Sequence, residues 1–409
     1  MILMKMAWRN LWRNPRRTLI TVFSMAFGLT MMIVSYCLME GMFDQMVRYA
    51  TLLGSGHIQV HHPDYLEDRS LYDTIQDPGG VLEAIAGTGV GPSSPRSFAT
   101  ALISSGPQSA GGILWGIDPA SEVNVTEMHR HLELGSFLSP LTRGEVVLGR
   151  NLARTLSVGT GDEVIVLTQA ADGSLGNDVY TVSGVLRSVG EAVDRGGVIM
   201  NIMDLDELLS LNGRIHEVAV RLDQPGSLDE GTYTVSRALS ASGLDVRNWR
   251  KLFPELDEYL RLSDTSTWIV LVIIFAVASL GIMNTQLMAL FERTREIGIM
   301  RALGLGPYSV AVMVFLETLF LTLFAAVAGG VVGSLWSSYL HSHGWDLRSV
   351  GGSFAFVGVT FDPYLRATLT VRAVAESIAI MIIVAMVATI YPLFRSTRIT
   401  PVDAIGRGR

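Results

Sequence analysis

The chain has 409 residues, 49% of them hydrophobic and 17% charged, with a mean hydropathy of +0.37 and a formal net charge of −7. Soluble domains carry about 25% charged residues, so the composition points to a membrane protein, and the acidic balance argues against nucleic acid as a partner. A single cysteine, Cys37, excludes an intrachain disulfide.

Residues 1–17 place Trp8, Leu11 and Trp12 on one helical face among Arg9 and Arg13. Paired tryptophans with arginines suit the headgroup layer, so this segment reads as an elbow helix on the inner leaflet or as a simple juxtamembrane anchor. Residues 18–40 form the first expected span, uncharged from Leu19 to Met39. It exceeds a signal peptide's apolar region and lacks a cleavage site, so it reads as a permanent helix. Its methionines, Met25, Met31 and Met32, would form an adaptable apolar wall or simply pack.

From 41 to 248 the pattern becomes that of a folded α/β domain, as one domain or two lobes. Short strands are expected at 56–62, where GHIQVHH alternates, and at 144–149, 162–168, 179–186, 197–202 and 216–222, and helices at 149–156, 203–210 and 228–242. Residues 249–266 space Leu252, Leu256, Tyr259 and Leu260 as a stalk helix. The second span covers 267–291, uncharged from Trp268. A short charged loop at 292–306 follows, then the third span at 307–339 with Glu317 and Gly329-x-x-x-Gly333, a spacing that lets helices approach closely. The loop 340–372 contains an apolar patch, Phe354–Val359, that reads either as a strand or as an interfacial re-entry. The fourth span covers 373–394 and a tail 395–409. Each span supplies the roughly 20 apolar residues a bilayer core requires.

Arginines flank the spans on one side: Arg9, Arg13, Arg16 and Arg17 before the first, Arg293, Arg295 and Arg301 between the second and third, Arg395 and Arg398 after the fourth. The positive-inside rule then places both termini and the 292–306 loop in the cytoplasm and the α/β domain outside. The expected fold is an α-helical membrane protein with four transmembrane helices and a large α/β extracytoplasmic domain between helices 1 and 2.

The two lysines, Lys5 and Lys251, do not follow glycines, so a P-loop is excluded and any ATP and Mg²⁺ belong to another chain. The pairs His61-His62, His129-x-His131 and His341-x-His343 lack familiar zinc spacing and read as solvated loop histidines, not a metal site. No hydrolase signature stands out. Glu317 inside a span should face the bundle interior, pairing with Asn284 or a loop arginine to transmit motion, or merely aiding packing.

Four stretches carry a family likeness: Ala7–Thr18, Glu292–Gly304 (ERTREIGIMRALG), Glu317, and Tyr391-Pro392 with Pro401-Val-Asp-Ala-Ile405. They resemble the permeases of MacB-type ABC transporters, the wider FtsX-like group. Within it Gly116-Ile-Asp-Pro119, Glu145–Gly149, Val158-Gly-Thr-Gly-Asp162 and the stalk Trp249–Leu256 resemble the lipoprotein-releasing permeases LolC and LolE.

The resemblance implies a coupling helix seated in a partner ATPase (LolD-like or MacB-like), with Arg295, Glu296, Ile297, Gly298, Ile299, Met300, Arg301, Ala302, Leu303 and Gly304 forming it. It implies a second permease subunit, homo- or heterodimeric, in the bacterial inner membrane, and a lipoprotein substrate in an apolar cavity facing membrane lipid. That cavity would be lined by Met25, Phe27, Met31, Met32, Phe275 and Met283, with Glu317 and Asn284 in transmission. The periplasmic carrier LolA would dock on a long hook, but the corresponding interval Ala170–Asp178 is short and polar. The same fold admits two further roles: MacB-like export through an outer-membrane duct, or FtsX-like control of a periplasmic hydrolase without transport.

Overall fold

The computed structural model describes residues 2–187, 189–346, 355–356, 359–360 and 364–398. The chain divides into two compact units, one from Met1–Asp44, Arg261–Leu347 and Tyr364–Arg409, the other from Gln45–Leu260 and Arg348–Pro363.

The first unit is helical. Helix α1 (Ile2–Arg13) ends at Asn14, and α2 (Pro15–Ala50) starts on a proline, whose missing N–H costs nothing in the first turn of a helix. The long helix α3 (Pro254–Glu292) is followed by the nine-residue α4 (Thr294–Ala302), then α5 (Pro307–His343) and α6 (Val371–Thr397). Among the described residues α2 with its following turn, α5 and α6 are long and apolar enough to cross a membrane. The expected second span, 267–291, lies within α3; many of its side chains, including that of Phe275, lie outside the described residues.

Several boundaries differ from expectation. The first span belongs to a 36-residue helix that closes in one wider π turn, Thr51–Ser55. No separate stalk forms: a single turn at Trp249–Leu252 stops at Phe253, and the remaining stalk residues are the start of α3. Proline at 254 tolerates the first turn but could not extend the preceding one. In the loop after α5 the apolar patch contributes a strand pair, Ala355–Phe356 with Val359–Thr360; the other patch residues lie outside those described.

Gly329 and Gly333 of α5 face Ala26, Leu29 and Ile33 of α2, and the Thr30 hydroxyl donates to the Gly329 carbonyl at 3.2 Å. Small residues here let the two backbones approach, which supplies dispersion contacts that lipid cannot. Trp8 of α1 packs edge-on to Phe320 of α5 at 5.5 Å.

The second unit is built on one ten-stranded sheet. Its strands are β1 (Ile58–His61), β2 (Ser93–Ser105), β3 (Gln108–Ile117), β4 (Leu132–Gly135), β5 (Glu145–Leu148), β6 (Glu163–Gln169), β7 (Leu175–Leu186), β8 (Gly197–Asn201), β9 (Glu217–Val220) and β10 (Asp245–Asn248). They run β10-β1-β9-β2-β3-β8-β5-β7-β4, with β6 bridging β2 and β7. Side chains alternate across each strand, and both faces are covered. Val146 and Leu148 of β5 join one core with Val198, Leu152 and Leu205, while Val147 joins the other with Ile199, Val193 and Leu186.

The strand expected at 179–186 is the second part of the 12-residue β7, and the 13-residue β2 lies where no strand is expected. The β2–β3 hairpin is rich in Ser, Ala and Gly, which carry little strand signal. It is held by pairing over its whole length and by its place at the sheet centre.

At the heart of this unit Arg96 is 1% exposed. It donates to Glu122 through Nε and Nη2 (3.1 and 2.7 Å), and through Nη1 to Glu217 (3.0 Å) and to the Gly54 carbonyl (2.6 Å). A buried guanidinium stays ionised only with such paired acceptors, so this network fixes the π turn, β2 and β9 to one another.

Candidate functional site

The charged stretch 292–306 becomes a helical hairpin. A break at Arg293 separates α3 from α4, and Gly304, with φ of 97°, ends α4. The Leu305 N–H closes onto the Met300 carbonyl at 3.0 Å, satisfying an end carbonyl in the manner of a left-handed cap. Ile297 anchors this turn: it is 2% exposed and packs with Leu290 and Val310.

The opposite face of α4 is open. Arg295, Ile299, Ala302, Leu303 and Gly304 are exposed, with Leu303 at 83%. Positions 295, 299, 302 and 303 share one helical face. An exposed apolar pair beside an arginine on a short, well-anchored helix offers a socket contact. Of the ten expected coupling residues, Ile297 and Gly298 are instead buried and act as backing. Glu296, Met300 and Arg301 are partly buried.

Three charge contacts tie the hairpin to the start of the chain and to α5. Arg13 grips both carboxylate oxygens of Glu296, and this holds the Glu296 carboxyl below the usual range. Arg17 pairs with Glu292 at 3.0 Å. Arg293 donates to Glu317 at 2.6 Å and to the Asn10 carbonyl at 3.2 Å. Their side chains are 17% and 12% exposed, which makes the Arg293–Glu317 pair the sheltered one; exposed pairs contribute little. Of the two partners expected for Glu317, the structure brings the loop arginine to it. Asn284 is exposed and lines a different groove. Arg13 and Asn10 were missed as members of this junction, because only folding brings positions about 280 residues apart together.

That second groove lies between α2, α3 and α6. Met25, Met32 and Asn284 line it. Phe27, Met31 and Met283, also expected there, do not. Phe27 is 55% exposed and stacks on Phe23, Met31 and Met283 sit outside the lining, and the Phe275 side chain is outside the described residues. A helix of 3.6 residues per turn cannot turn 25, 27, 31 and 32 to one side.

No cluster of three or more His, Cys, Asp or Glu that could hold a metal is found among the described residues. The solvated-loop reading of the histidines fails for His61, which is fully buried in β1. The interval 170–178 is the tip of the β6–β7 hairpin, where the Ala170 N–H meets the Ser174 carbonyl at 2.9 Å.

Residues 18–232 match the MacB-like periplasmic core domain and residues 268–401 the FtsX-like permease C-terminal region. The first match spans over half of the chain, and the chain belongs to this family: it is an ABC transporter permease, and a membrane protein that works with an ATPase. Among its relatives is the lipoprotein-releasing system transmembrane protein LolC of Neisseria meningitidis, 26% identical over 95% of this chain and 93% of that one. LolE of Haemophilus influenzae is 23% identical over 96% and 95%. The macrolide export ATP-binding/permease protein MacB of Nitrobacter winogradskyi is 23% identical over 97% of this chain but 58% of its own length. The solved periplasmic region of MacB from Actinobacillus actinomycetemcomitans covers 50% of this chain and 94% of its own, at 13% identity and a TM-score of 0.37.

The motifs that carried the resemblance in the α/β unit are fold determinants. Asp118 caps the helix Pro119–Val125, and a Cβ on Gly116 would meet Leu205 at 2.7 Å. Asp162 accepts from the Gly159 N–H at 2.7 Å to close its turn.

Proposed function

We propose that this chain is the permease subunit of an ATP-driven transporter that extracts lipoproteins from the inner membrane for delivery to the outer membrane. The observation that carries the reading is the junction at α4: an exposed Arg295, Ile299 and Leu303 face backed by buried Ile297, at the foot of the 39-residue α3. The near full-length likeness to LolC and LolE supports the cargo class.

In this reading four helices span the inner membrane, both termini lie in the cytoplasm, and the chain itself is not an enzyme. ATP and Mg²⁺ bind the partner ATPase, whose closure pushes on α4. Motion passes through Arg293 to Glu317 in α5 and along α3 toward the α/β unit outside. A second permease subunit completes the cavity for the lipid anchor. Burying an acyl chain contributes about 0.8 kcal/mol per CH₂, so extracting several chains requires an external energy source. The tight β6–β7 turn supplies no long hook, so docking of a carrier such as LolA falls to the partner subunit.

The test is depletion of the protein, followed by fractionation of inner and outer membranes. Newly made lipoproteins should accumulate in the inner membrane. Correct sorting in depleted cells overturns the proposal, and copurification of an outer-membrane duct or a periplasmic hydrolase would replace it with export or regulation.

A further inference from the structure

Strand β7 outruns its neighbours on one side. Residues 175–180 pair with β6, whereas on the other side β5 reaches only 181–185 and β4 only 184–186. That second edge is therefore unpaired from Leu175 to Val179, about 14 Å of strand. In an antiparallel pair alternate residues turn their backbone polar groups away from the partner. The Thr181 N–H turns away from β6 to the Gly144 carbonyl at 2.9 Å, so those of Leu175, Asn177 and Val179 point the same way. The Asp178 carboxylate accepts the Val179 N–H at 2.8 Å, and among the described residues no acceptor meets those of Leu175 and Asn177. An open strand edge of this kind is a template for another chain.

The two sides of this edge differ in chemistry. On one, a cleft of ≈ 510 Å³ is walled by Arg143 and Gly144 before β5 and by Asp204, Glu207 and Leu208 of the helix Ile202–Leu209. Asp178 and Tyr180 of β7 line it as well. Arg143 donates to Asp204 and Glu207 at 2.5 and 2.9 Å. Three carboxylates against one guanidinium leave the cleft negative, and burial together with those three acids pushes the Tyr180 phenol up. On the other side Leu175 and Val179 are exposed, with Ile165 of β6 opposite Val179 and Leu102 of β2 beyond it.

We propose that the free edge of β7 docks an extended segment of another protein, added as a strand, in which basic residues alternate with apolar ones. Side chains of a strand alternate between faces, so one set lies beside Leu175 and Val179 and the other over Asp178, Asp204 and Glu207. Backbone bonds to Leu175 and Asn177 supply affinity, and the two faces supply specificity. A second copy meeting this edge about a twofold axis would set one acidic cleft against another, and like charges oppose that pairing. The site uses the side of β7 and not the hairpin tip, and it stands or falls separately from lipoprotein release.

The test titrates the full chain, in a neutral detergent, into a fluorescent peptide of alternating lysine and valine. Binding should weaken as salt rises, and hydrogen exchange at Leu175 and Asn177 should slow in the complex. Asn177→Pro removes one outward N–H at an edge position, where proline is tolerated, and should weaken binding about tenfold. Leu175→Lys, at a side chain 70% exposed, should weaken it too without lowering Tm. Glu207→Gln should weaken it several-fold and flatten the salt dependence, whereas Glu230→Gln, exposed on the helix Leu228–Ala238, should leave it unchanged. Equal binding of an alternating glutamate–valine peptide, or of one with its lysines and valines in separate blocks, would overturn the site. So would full binding by both Asn177→Pro and Leu175→Lys. Loss of self-association in Asn177→Pro with peptide binding unchanged would give the edge to a second copy and overturn the proposal as well.

Discussion

Glu317 and Arg293 show how one residue's role is decided by its neighbours. Both side chains are largely buried and each is the other's counter-charge. Removing one leaves a sheltered charge alone, which destabilises a fold by about 3–5 kcal/mol, whereas replacing both by apolar groups is often neutral. Glu317→Gln should therefore lower Tm and also the partner's ATPase response. The double variant Arg293→Met, Glu317→Met should recover Tm but not the response. Recovery of both would reduce the pair to packing.

His57 gives a second prediction at this scale. Its Nδ1 accepts from the Leu222 N–H at 3.1 Å, and burial beside Arg221 pushes the imidazole down to about 4. An unfolded histidine titrates near 6.5, so the unfolded chain takes a proton that the folded chain refuses. Stability is full above about 6.5 and falls as pH drops toward 4, by about 1.4 kcal/mol per unit within that window. His61 and His216 are pushed down by burial as well and steepen the fall. Melting curves of the full chain at descending pH should show it, and His57→Gln should flatten the slope. An unchanged slope would assign the titration to the other histidines.

At the scale of elements, adjacent glycines in α5 have different partners. A Cβ on Gly329 would lie 2.6 Å from the Ala26 carbonyl oxygen of α2, and one on Gly330 would sit 3.5 Å from the Ile378 methyl of α6. The first is a clash with backbone and the second an ordinary contact. Gly329→Ala should cost about 1–3 kcal/mol by overpacking. Gly330→Ala should be neutral or slightly stabilising, because alanine favours a helix over glycine by about 1 kcal/mol. Thermal melts in detergent compare the two, and equal Tm values would remove the close α2–α5 approach.

For the whole molecule, the decisive surface is the open face of α4. Ile299→Asp with Leu303→Asp alters exposed positions only, so the fold should keep its Tm while the ATPase no longer copurifies. Ile297→Asp puts a carboxylate into the apolar contact with Leu290 and Val310 and should lower Tm first. If the exposed double variant still captured the ATPase, the socket would lie elsewhere.

The apolar helices, the flanking arginines and the lack of a P-loop lysine were legible in the chain, because length, hydropathy and charge are properties of contiguous residues. So were most strands and helices around β5–β9, whose Gly, Asp and Asn turns punctuate clear apolar runs. The likeness in ERTREIGIMRALG also lay in one stretch. Folding alone decided what depends on distant partners. It turned Ile297 inward and Leu303 outward on the same short helix, joined the stalk to α3, and set Arg13 on Glu296 and Arg293 on Glu317. It also built the long β2–β3 hairpin from weak strand formers and buried His61. The physical reason is the same throughout: local pattern specifies which groups seek burial or charge, and only the packed chain specifies which neighbour satisfies them.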